Sequence, residues 1–346
     1  MHLYNKKNKK EQLEEVKKNA VPRRTVSFYR YHRLPNPSLF RDHLYLQLEP
    51  IGVLGRIYVA EEGINAQVSV PENNWVVFVE KLQEITFLEG NRLNLAVEDN
   101  PASFAVLKIK LRKKIVADGL DDNSFNPSNC GQHLDAEAFN HLAKQENTIL
   151  IDMRNHYESE VGHFKGAVCP DVDTFRDSLP IVEEILEEHR EKNILMYCTG
   201  GIRCEKASAW FKHRGFPNVF QLEGGIIKYA RDVKEQALEN LFTGKNFVFD
   251  ERLGERISEE IISHCHQCGN ASDSHTNCRN EACHLLFIQC GECAEMHEGC
   301  CSADCKETIQ LPEEEQKTKR SGQSAQRNVF RKGRIEDKIR GLSRQP

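Results

Sequence analysis

The segment NILMYCTGGIRCEKAS constrains the fold of this chain more than any other stretch. A short apolar run ends at Cys198, two glycines follow, and a helical pattern begins near Arg203. A strand that enters a helix through a glycine-rich loop is typical of the carboxyl edge of an open parallel sheet. Further apolar strands, predicted at 147–153 and 218–224, alternate with helical stretches. We therefore predict a doubly wound α/β unit over residues 130–240.

The same loop predicts a reactive thiol. Backbone N–H groups of a glycine-rich loop and the positive end of a helix dipole stabilise a thiolate, a persulfide or a bound oxyanion. We expect Cys198 to be the catalytic nucleophile, in an active-site loop that comprises Thr199, Gly200, Gly201, Ile202 and Arg203. The competing interpretation is a buried cysteine that merely ends a core strand. Cys204 either resolves a persulfide or disulfide on Cys198 or is a small core residue of the first helical turn.

The spacing of Cys198 and Arg203, with four residues between them, resembles the active-site loop of the rhodanese family. The segment DMRNHYESEVGHFKGAV, residues 152–168, resembles the second signature of that family. The resemblance implies supporting, largely structural roles for Asp152, Arg154 and His163. A general base at His163 is the alternative, which geometry must decide. Related cysteine phosphatases place five residues between cysteine and arginine, so the shorter loop favours sulfur over phosphate.

Four long motifs extend this resemblance over residues 25–305. GRIYVAEEGINAQVSVPE, DMRNHYESEVGHFKGA, CTGGIRCEKASAW and GKNFVFDERLGERIS are similar, in order and spacing, to the bacterial tRNA uridine(34) hydroxylase family. The resemblance implies an oxidoreductase of tRNA modification that converts the wobble uridine to 5-hydroxyuridine, with tRNA as partner and molecular oxygen as co-substrate. The sequence has no flavin or nicotinamide motif that we recognise, so the means of oxygen activation stays open.

Two other functions compete with the hydroxylase. A rhodanese-type sulfurtransferase would pass sulfur through a persulfide on Cys198, whereas a non-catalytic RNA-binding module would not need the thiol. The cysteine and its anion cradle disfavour the binding module. The additional domains and the basic tails disfavour a minimal sulfurtransferase.

A smaller α+β domain is predicted ahead of the α/β unit. Strand-like segments at 25–31, 55–70 and 105–116 alternate with helical patterns at 37–49 and 73–86. The order β, α, β, α, β predicts a ferredoxin-like domain over residues 25–120, with helices on one side of its sheet. A linker rich in Asp, Asn, Ser and Pro follows at 121–129.

Basic and aromatic residues lie together at the start of that domain. This combination suits phosphate contact and base stacking, and it equally suits a solvated surface above core aromatics. The residues are Arg30, His32, Arg33 and Arg41, near Phe28, Tyr29, Tyr31 and Phe40.

Nine of the thirteen cysteines lie between Cys265 and Cys305, in a segment predicted to span residues 241–309. Two Cys-x2-Cys pairs predict a four-thiolate zinc shell. That first site is Cys265, Cys268, Cys290 and Cys293. The second is Cys278, Cys283, either Cys300 or Cys301, and Cys305. A closed thiolate shell is structural or contacts RNA, and the alternative is a set of reduced thiols without metal.

The ends of the chain are basic, although the net charge is -5. Residues 1–24 carry eight Lys or Arg against three acidic residues, and residues 317–346 carry ten against two. We predict a basic leader at 1–24 and a basic disordered tail at 310–346, either of which would suit RNA contact. No stretch resembles a signal peptide or membrane span, so we expect a cytoplasmic protein with no membrane or DNA partner and an open oligomeric state.

Overall fold

The structure is a computed structural model that describes Glu14, Lys18 and residues 21–122 and 124–322, with the side chains of residues 321 and 322 left aside. The predicted basic leader, except Glu14, Lys18 and residues 21–24, lies outside the described residues, as do residues 323–346 of the predicted tail. Within the described part, no helix is both long enough and apolar enough to cross a membrane.

The N-terminal domain has a five-stranded sheet in the order β4-β1-β3-β2-β5. Its strands are β1 (Arg23–Tyr31), β2 (Leu54–Ala60), β3 (Gly63–Pro71), β4 (Asn94–Leu95) and β5 (Leu107–Leu111), and its helices are α1 (Pro37–Leu48) and α2 (Trp75–Gln83). The first four strands pair antiparallel in ferredoxin-like order, and β5 adds in parallel to β2. Both helices pack on one sheet face, where Val26, Phe28 and Phe78 belong to one core.

The predicted strand order was incomplete in this domain. Residues 55–70 form a hairpin, β2 and β3, rather than one strand, because the chain turns at Glu61 and Glu62 and Gly63 takes a positive φ of 137°. A Cβ at Gly63 would lie 2.0 Å from the carbonyl oxygen of Arg30, so only glycine fits this approach of the hairpin to β1. The two-residue strand β4 carries no sequence pattern long enough to predict.

The central unit has a four-stranded parallel sheet in the order β6-β10-β9-β7. Its elements are β6 (Gln132–Leu134), α3 (Ala136–Ala143), β7 (Thr148–Asp152), α4 (His156–Ser159), β8 (Gly162–Phe164), α5 (Phe175–Glu187), β9 (Asn193–Tyr197), α6 (Ile202–His213), β10 (Val219–Leu222) and α7 (Gly225–Glu235). One sheet face packs on α5 and α6 through Leu179 and Phe211. The other packs on α3 and α7 through Phe139 and Ile226. The sheet is therefore covered on both faces, as predicted for a doubly wound unit.

The C-terminal region attaches to this unit through sheet pairing. Its elements are β11 (Phe242–Asn246), β12 (Glu255–Arg256), β13 (His275–Asn277), β14 (Leu286–Ile288), α8 (Gly291–Met296), α9 (Ala303–Gln310) and α10 (Glu313–Gly322). Strand β11 pairs with β8, and β13 pairs with β14. Phe247 meets Tyr157 of α4 edge to face, with ring centroids 5.3 Å apart.

One boundary of the predicted tail is wrong. Disorder was predicted from residue 310, but Glu313–Gly322 forms a helix. Acidic residues fill its first turn, basic residues fill its last, and Lys317 pairs with Glu313 and Glu314 one turn earlier. Both arrangements favour a helix, by the dipole and by neighbouring pairs, even without an apolar stripe.

A buried lysine joins the N-terminal domain to the central unit. Lys206 of α6 is 1% exposed, and its Nζ lies 2.8 Å from Glu62 and 2.5 Å from Asp118. Tyr29 of β1 donates a hydrogen bond of 3.1 Å to Glu205 of the same helix. These contacts hold the helix-free face of the N-terminal sheet against the loop that begins at Cys198.

Candidate active site

Cys198 directly follows β9 and is 1% exposed. The backbone N–H of Gly201 donates a hydrogen bond of 3.2 Å to its Sγ, and α6 begins at the next residue. Gly201 has a φ of 97°, and a Cβ there would lie 3.0 Å from Tyr29 Oη. Glycine is therefore required both by the left-handed backbone and by the close approach of β1.

A second helix closes the outer side of the loop. The N–H groups of Ile226 and Ile227, at the start of α7, donate to the carbonyl oxygens of Cys198 and Thr199 at 3.0 and 3.2 Å. A Cβ at Gly225 would lie 2.5 Å from the Cys198 carbonyl oxygen. The absence of a side chain at Gly225 thus lets the end of α7 hold the loop through its otherwise unpaired donors.

Arg203 forms a salt bridge with the carboxylate of Glu158. Its two terminal nitrogens lie 2.6 and 2.8 Å from the two oxygens of Glu158 in α4, and Thr199 Oγ1 lies 3.2 Å from the same carboxylate. Burial alone raises the pKa of Glu158, but the charge and hydrogen bonds of Arg203 hold it below its ordinary value. This buried bidentate pair fixes the loop to α4.

The surroundings of Cys198 favour its thiolate. Burial by itself raises the pKa, but hydrogen bonds from the Cys204 thiol and backbone, the charge of Arg203 and the Gly201 N–H lower it to about 6. Burial and the neighbouring Cys198 raise the pKa of Cys204 well above its ordinary value. Cys204 is fully buried in the core beneath the loop. Its thiol therefore stays protonated and serves as a donor to Cys198.

Asp152, Arg154 and His163 lie behind the loop. Arg154 is 1% exposed and forms a bidentate pair with Asp152, with 2.6 Å between Nη2 and Oδ2. The same nitrogen donates to the Gly162 carbonyl oxygen at 2.6 Å. His163 Nδ1 lies 2.9 Å from the Ser159 carbonyl oxygen. These contacts tie β7, α4 and β8 together.

Cys198 opens into a cavity of about 420 Å³ that all three regions line. The loop contributes Cys198, Thr199 and Gly200, and the C-terminal region contributes Val248, Phe249, Asp250 and Arg252. The opposite wall is the helix-free face of the N-terminal sheet. The cavity is wide enough for a small ring system and places one acidified thiol beside it.

Sequence reasoning missed most residues of this opposite wall, since only Tyr29 was named, as part of the predicted RNA-contacting set. Ser27, Tyr29, Arg56, Tyr58, Asn65 and Gln67 line the cavity. The signal was present, since each alternates with an apolar core residue along β1, β2 or β3. The same alternation places Phe28 in the core, at 2% exposure, which removes it from the predicted RNA-contacting set. Glu158 was also missed as a site residue, because its pairing with Arg203 joins distant segments.

Part of the predicted RNA-contacting set borders a second groove. Arg30 and His32 line a groove of about 760 Å³ together with Arg92 and Phe87, and His32 stacks on Phe87 at a centroid distance of 4.6 Å. Tyr29 and Asn94 line both this groove and the cavity at Cys198. Arg33 is exposed, Tyr31 lines the groove, Arg41 pairs with Asp42, and Phe40 packs on the core.

Eight of the C-terminal cysteines form two groups of four, in each of which the thiol sulfurs all lie within 4.8 Å of one another. The first is Cys265, Cys268, Cys290 and Cys293, and the second is Cys278, Cys283, Cys301 and Cys305. Sulfur pairs at 3.6 and 3.7 Å match the edge of about 3.8 Å expected for a tetrahedron with Zn–S bonds of about 2.3 Å. Cys300 lies outside both groups, and its carbonyl oxygen accepts a hydrogen bond from Gln267.

Three family models match the chain. They are described as "UPF0176 acylphosphatase like domain" over residues 23–115, "Rhodanese-like domain" over 135–232 and "Rhodanase C-terminal" over 243–306. Together with the observed sheets they confirm the predicted fold classes. A solution structure of a rhodanese-like domain from Anabaena sp is 22% identical, with a TM-score of 0.26, and covers 32% of this chain and 78% of that one.

Curated proteins match nearly the whole chain. A protein named tRNA uridine(34) hydroxylase from Pectobacterium carotovorum is 55% identical over 333 residues, which cover 96% of this chain and 94% of that protein. One of the same name from Photorhabdus laumondii is 51% identical and covers 99% of this chain and 98% of that protein.

Proposed function

This chain belongs to the tRNA uridine(34) hydroxylase family, and on that premise we propose that it converts the wobble uridine of tRNA to 5-hydroxyuridine, with Cys198 as the catalytic residue. One observation carries the role of Cys198. Its thiol has a pKa lowered to about 6 and lies in a cavity whose far wall is a row of polar side chains. A thiolate beside a site of this size suits attack on a flat, polar ring.

The proposed chemistry begins with addition of the Cys198 thiolate to C6 of uracil. The new C–S bond shifts an electron pair towards C5 and O4, which makes C5 nucleophilic towards oxygen. Loop amides and the start of α6 offer donors for the developing negative charge. C5 then forms a bond to one atom of molecular oxygen. A two-electron reductant cleaves the O–O bond, which leaves a hydroxyl on C5 and releases the second oxygen atom as water. Loss of the C5 proton and departure of the thiolate then restore the ring.

The test uses purified protein and unmodified tRNA. We expect 5-hydroxyuridine at position 34 in air with a two-electron reductant, none under argon, and none with Cys198→Ala in either atmosphere, as measured by mass spectrometry of digested tRNA. Cys169→Ala is the matched control, because that cysteine lies outside the loop and burial raises its pKa to about 12. Product formation by Cys198→Ala at the wild-type rate would contradict the proposed role.

Sulfur transfer is the second candidate function, and the four-residue cradle around Cys198 favours it. In that reaction the Cys198 thiolate attacks the outer sulfur of thiosulfate, and sulfite leaves with the electron pair of the broken S–S bond. A nucleophilic acceptor then takes the outer sulfur of the persulfide and releases the Cys198 thiolate. A persulfide detected on Cys198 after thiosulfate treatment, with thiolated tRNA and no 5-hydroxyuridine, would support this reaction and count against the hydroxylase.

We also propose one zinc ion in each four-cysteine group. The groups contain four mutually close sulfurs, and a closed four-thiolate shell is typical of structural zinc. The chain's residues there would hold the ion and leave no open position for substrate. We propose tRNA as the partner, because the groove beside Arg30 and Arg92 suits phosphate contact. We also propose a cytoplasmic location, because the cysteines are free and reduced thiols are typical of the cytoplasm.

A further inference from the structure

The helix-free face of the N-terminal sheet presents two rows of polar side chains to the cavity. The strand register places Tyr29, Asn65 and Tyr58 in one row. It places Ser27, Gln67 and Arg56 in the other. All six line the cavity at Cys198, and the residues between them, Phe28, Ile57 and Ala66, belong to the domain core. The cavity wall opposite the thiol is thus a regular polar surface.

Strand β1 brings one edge of this polar surface into contact with the loop at Cys198. A Cβ built on Gly201 would lie 3.0 Å from Tyr29 Oη, and one built on Gly200 would lie 3.7 Å from Ser27 Oγ. Strand β1 therefore touches the loop directly. Asn65 lies on the neighbouring strand, about 5 Å further across the sheet. A ring next to Cys198 would have its far edge at this strand.

The orientation of the Asn65 amide is fixed by its neighbour. Its Nδ2 donates to the carbonyl oxygen of Ile115 at 3.2 Å, and a carbonyl oxygen only accepts. The nitrogen therefore faces Ile115, and an amide flip would lose that bond. Oδ1 and the second N–H remain to serve the cavity. The side chain presents an acceptor next to a donor, in a set order.

Ser27 adds a second polar group. Its Oγ is buried, and among the described residues it has no hydrogen-bond partner. A buried hydroxyl without a partner destabilises the free protein, and a ligand that pairs with it would recover that loss. Uracil offers a donor at N3 between acceptors at C2 and C4. Cytosine offers an acceptor at N3 and a donor at C4.

We propose that Asn65 and Ser27 read the base edge opposite C6 and select uracil over cytosine. This inference rests on the proposed function, since it requires a pyrimidine in the cavity with C6 at Cys198. N3 is the ring atom farthest from C6, so it faces the sheet. Asn65 Oδ1 accepts from N3–H, its free N–H donates to one carbonyl, and Ser27 donates to the other. Cytosine N3 carries a lone pair instead of a hydrogen, so it would face the lone pairs of Asn65 Oδ1 and repel them.

The test measures binding, so it does not depend on turnover. Anticodon stem-loops carrying uridine, cytidine or 3-methyluridine at position 34 are titrated against Cys198→Ala protein by fluorescence anisotropy. We expect uridine to bind about tenfold more tightly than either other base, as loss of paired hydrogen bonds implies. Adding Asn65→Ala should reduce this preference to within about twofold by weakening the uridine loop only.

The matched control is Asn74→Ala in the same Cys198→Ala background. Asn74 also donates its Nδ2 to a carbonyl oxygen, that of Ile51 at 3.0 Å, but it does not line the cavity. We expect it to keep the tenfold preference. A preference that survives Asn65→Ala in a protein with an unchanged melting temperature would overturn the inference, even if the protein hydroxylates tRNA. Loss of hydroxylation with intact, Asn65-dependent preference would instead count against the proposed function alone.

Discussion

Cysteine occurs in two opposite settings in this molecule. Cys198 lies among donors: a backbone amide, a protonated thiol and a guanidinium, which lower its pKa to about 6. Eight of the C-terminal cysteines lie among other thiols, four at a time, and three of their sulfur pairs are 3.6, 3.7 and 3.8 Å apart. The first setting stabilises one negative charge from within the chain. The second setting brings four sulfurs close together, and four neighbouring thiolates would repel one another unless a cation lay between them.

The comparison teaches that the surroundings of a cysteine, not the residue type, distinguish the two proposed roles. A single thiolate with donors on one side and a cavity on the other is arranged to react. Four thiolates around one ion have no open side and are arranged to fold a polar segment. The two settings meet at α4, because Glu158 pairs with Arg203 of the loop while Tyr157 packs on Phe247 beside the C-terminal region.

Metal removal should have the largest effect on stability. It should first unfold the segment that contains the two four-cysteine groups. Structural zinc contributes roughly 10–16 kcal/mol in small zinc-dependent folds. We expect elemental mass spectrometry to find two zinc ions per chain, and one after Cys268→Ala or Cys283→Ala. Chelation should cause the C-terminal region to lose its ordered structure, which amide hydrogen exchange measures. Exchange should also rise at α4, since Tyr157 and Phe247 share a core.

Cys169→Ala is the control for metal content, because Cys169 belongs to none of the side-chain groups that could hold an ion. It should retain both ions. Protein that folds normally and carries no metal, or that carries iron in both groups, would contradict the zinc assignment.

Glu158→Gln should have the next largest effect, on the loop alone. It leaves the Arg203 guanidinium buried without its charged partner, which costs about 3–5 kcal/mol of stability. The exposed pair of Arg190 and Glu187, with 2.8 Å between nitrogen and oxygen, is the matched comparison, and Glu187→Gln should lower the free energy of unfolding far less, because water screens an exposed pair. Urea unfolding measures both. Equal losses would mean that Glu158 does not anchor the loop.

Cys204→Ala should have the smallest effect, on the acidity of Cys198. With a pKa of about 6, Cys198 is about nine-tenths thiolate at pH 7, so its alkylation rate should rise through pH 6 and level off above pH 7. Without the Cys204 donor the midpoint should move upward by about one pH unit, or about 1.4 kcal/mol. Peptide-level mass spectrometry follows the rate at Cys198. An unchanged midpoint would mean that Cys204 is only a core residue.

The two settings also differed in how far the sequence predicted them. The loop at Cys198 was predictable because strand, glycines and helix are contiguous. The first four-cysteine group followed from its two Cys-x2-Cys pairs, and the second was composed of the cysteines that remained, with Cys300 or Cys301 left open. The choice of Cys301 over Cys300 was not predictable, since neighbouring residues in one turn point in different directions. The Glu158 pair and the wall at Asn65 depend on tertiary packing, although alternation along β3 already indicated two different faces.

Wobble uridine hydroxylation by this protein should depend on the Cys198 thiolate. The most direct measurement is mass spectrometry of tRNA from aerobically grown cells that lack this gene and carry wild-type, Cys198→Ala or Cys169→Ala protein at equal levels. We predict that wild-type and Cys169→Ala protein restore 5-hydroxyuridine derivatives at position 34 and that Cys198→Ala does not. Restoration by Cys198→Ala would contradict the account.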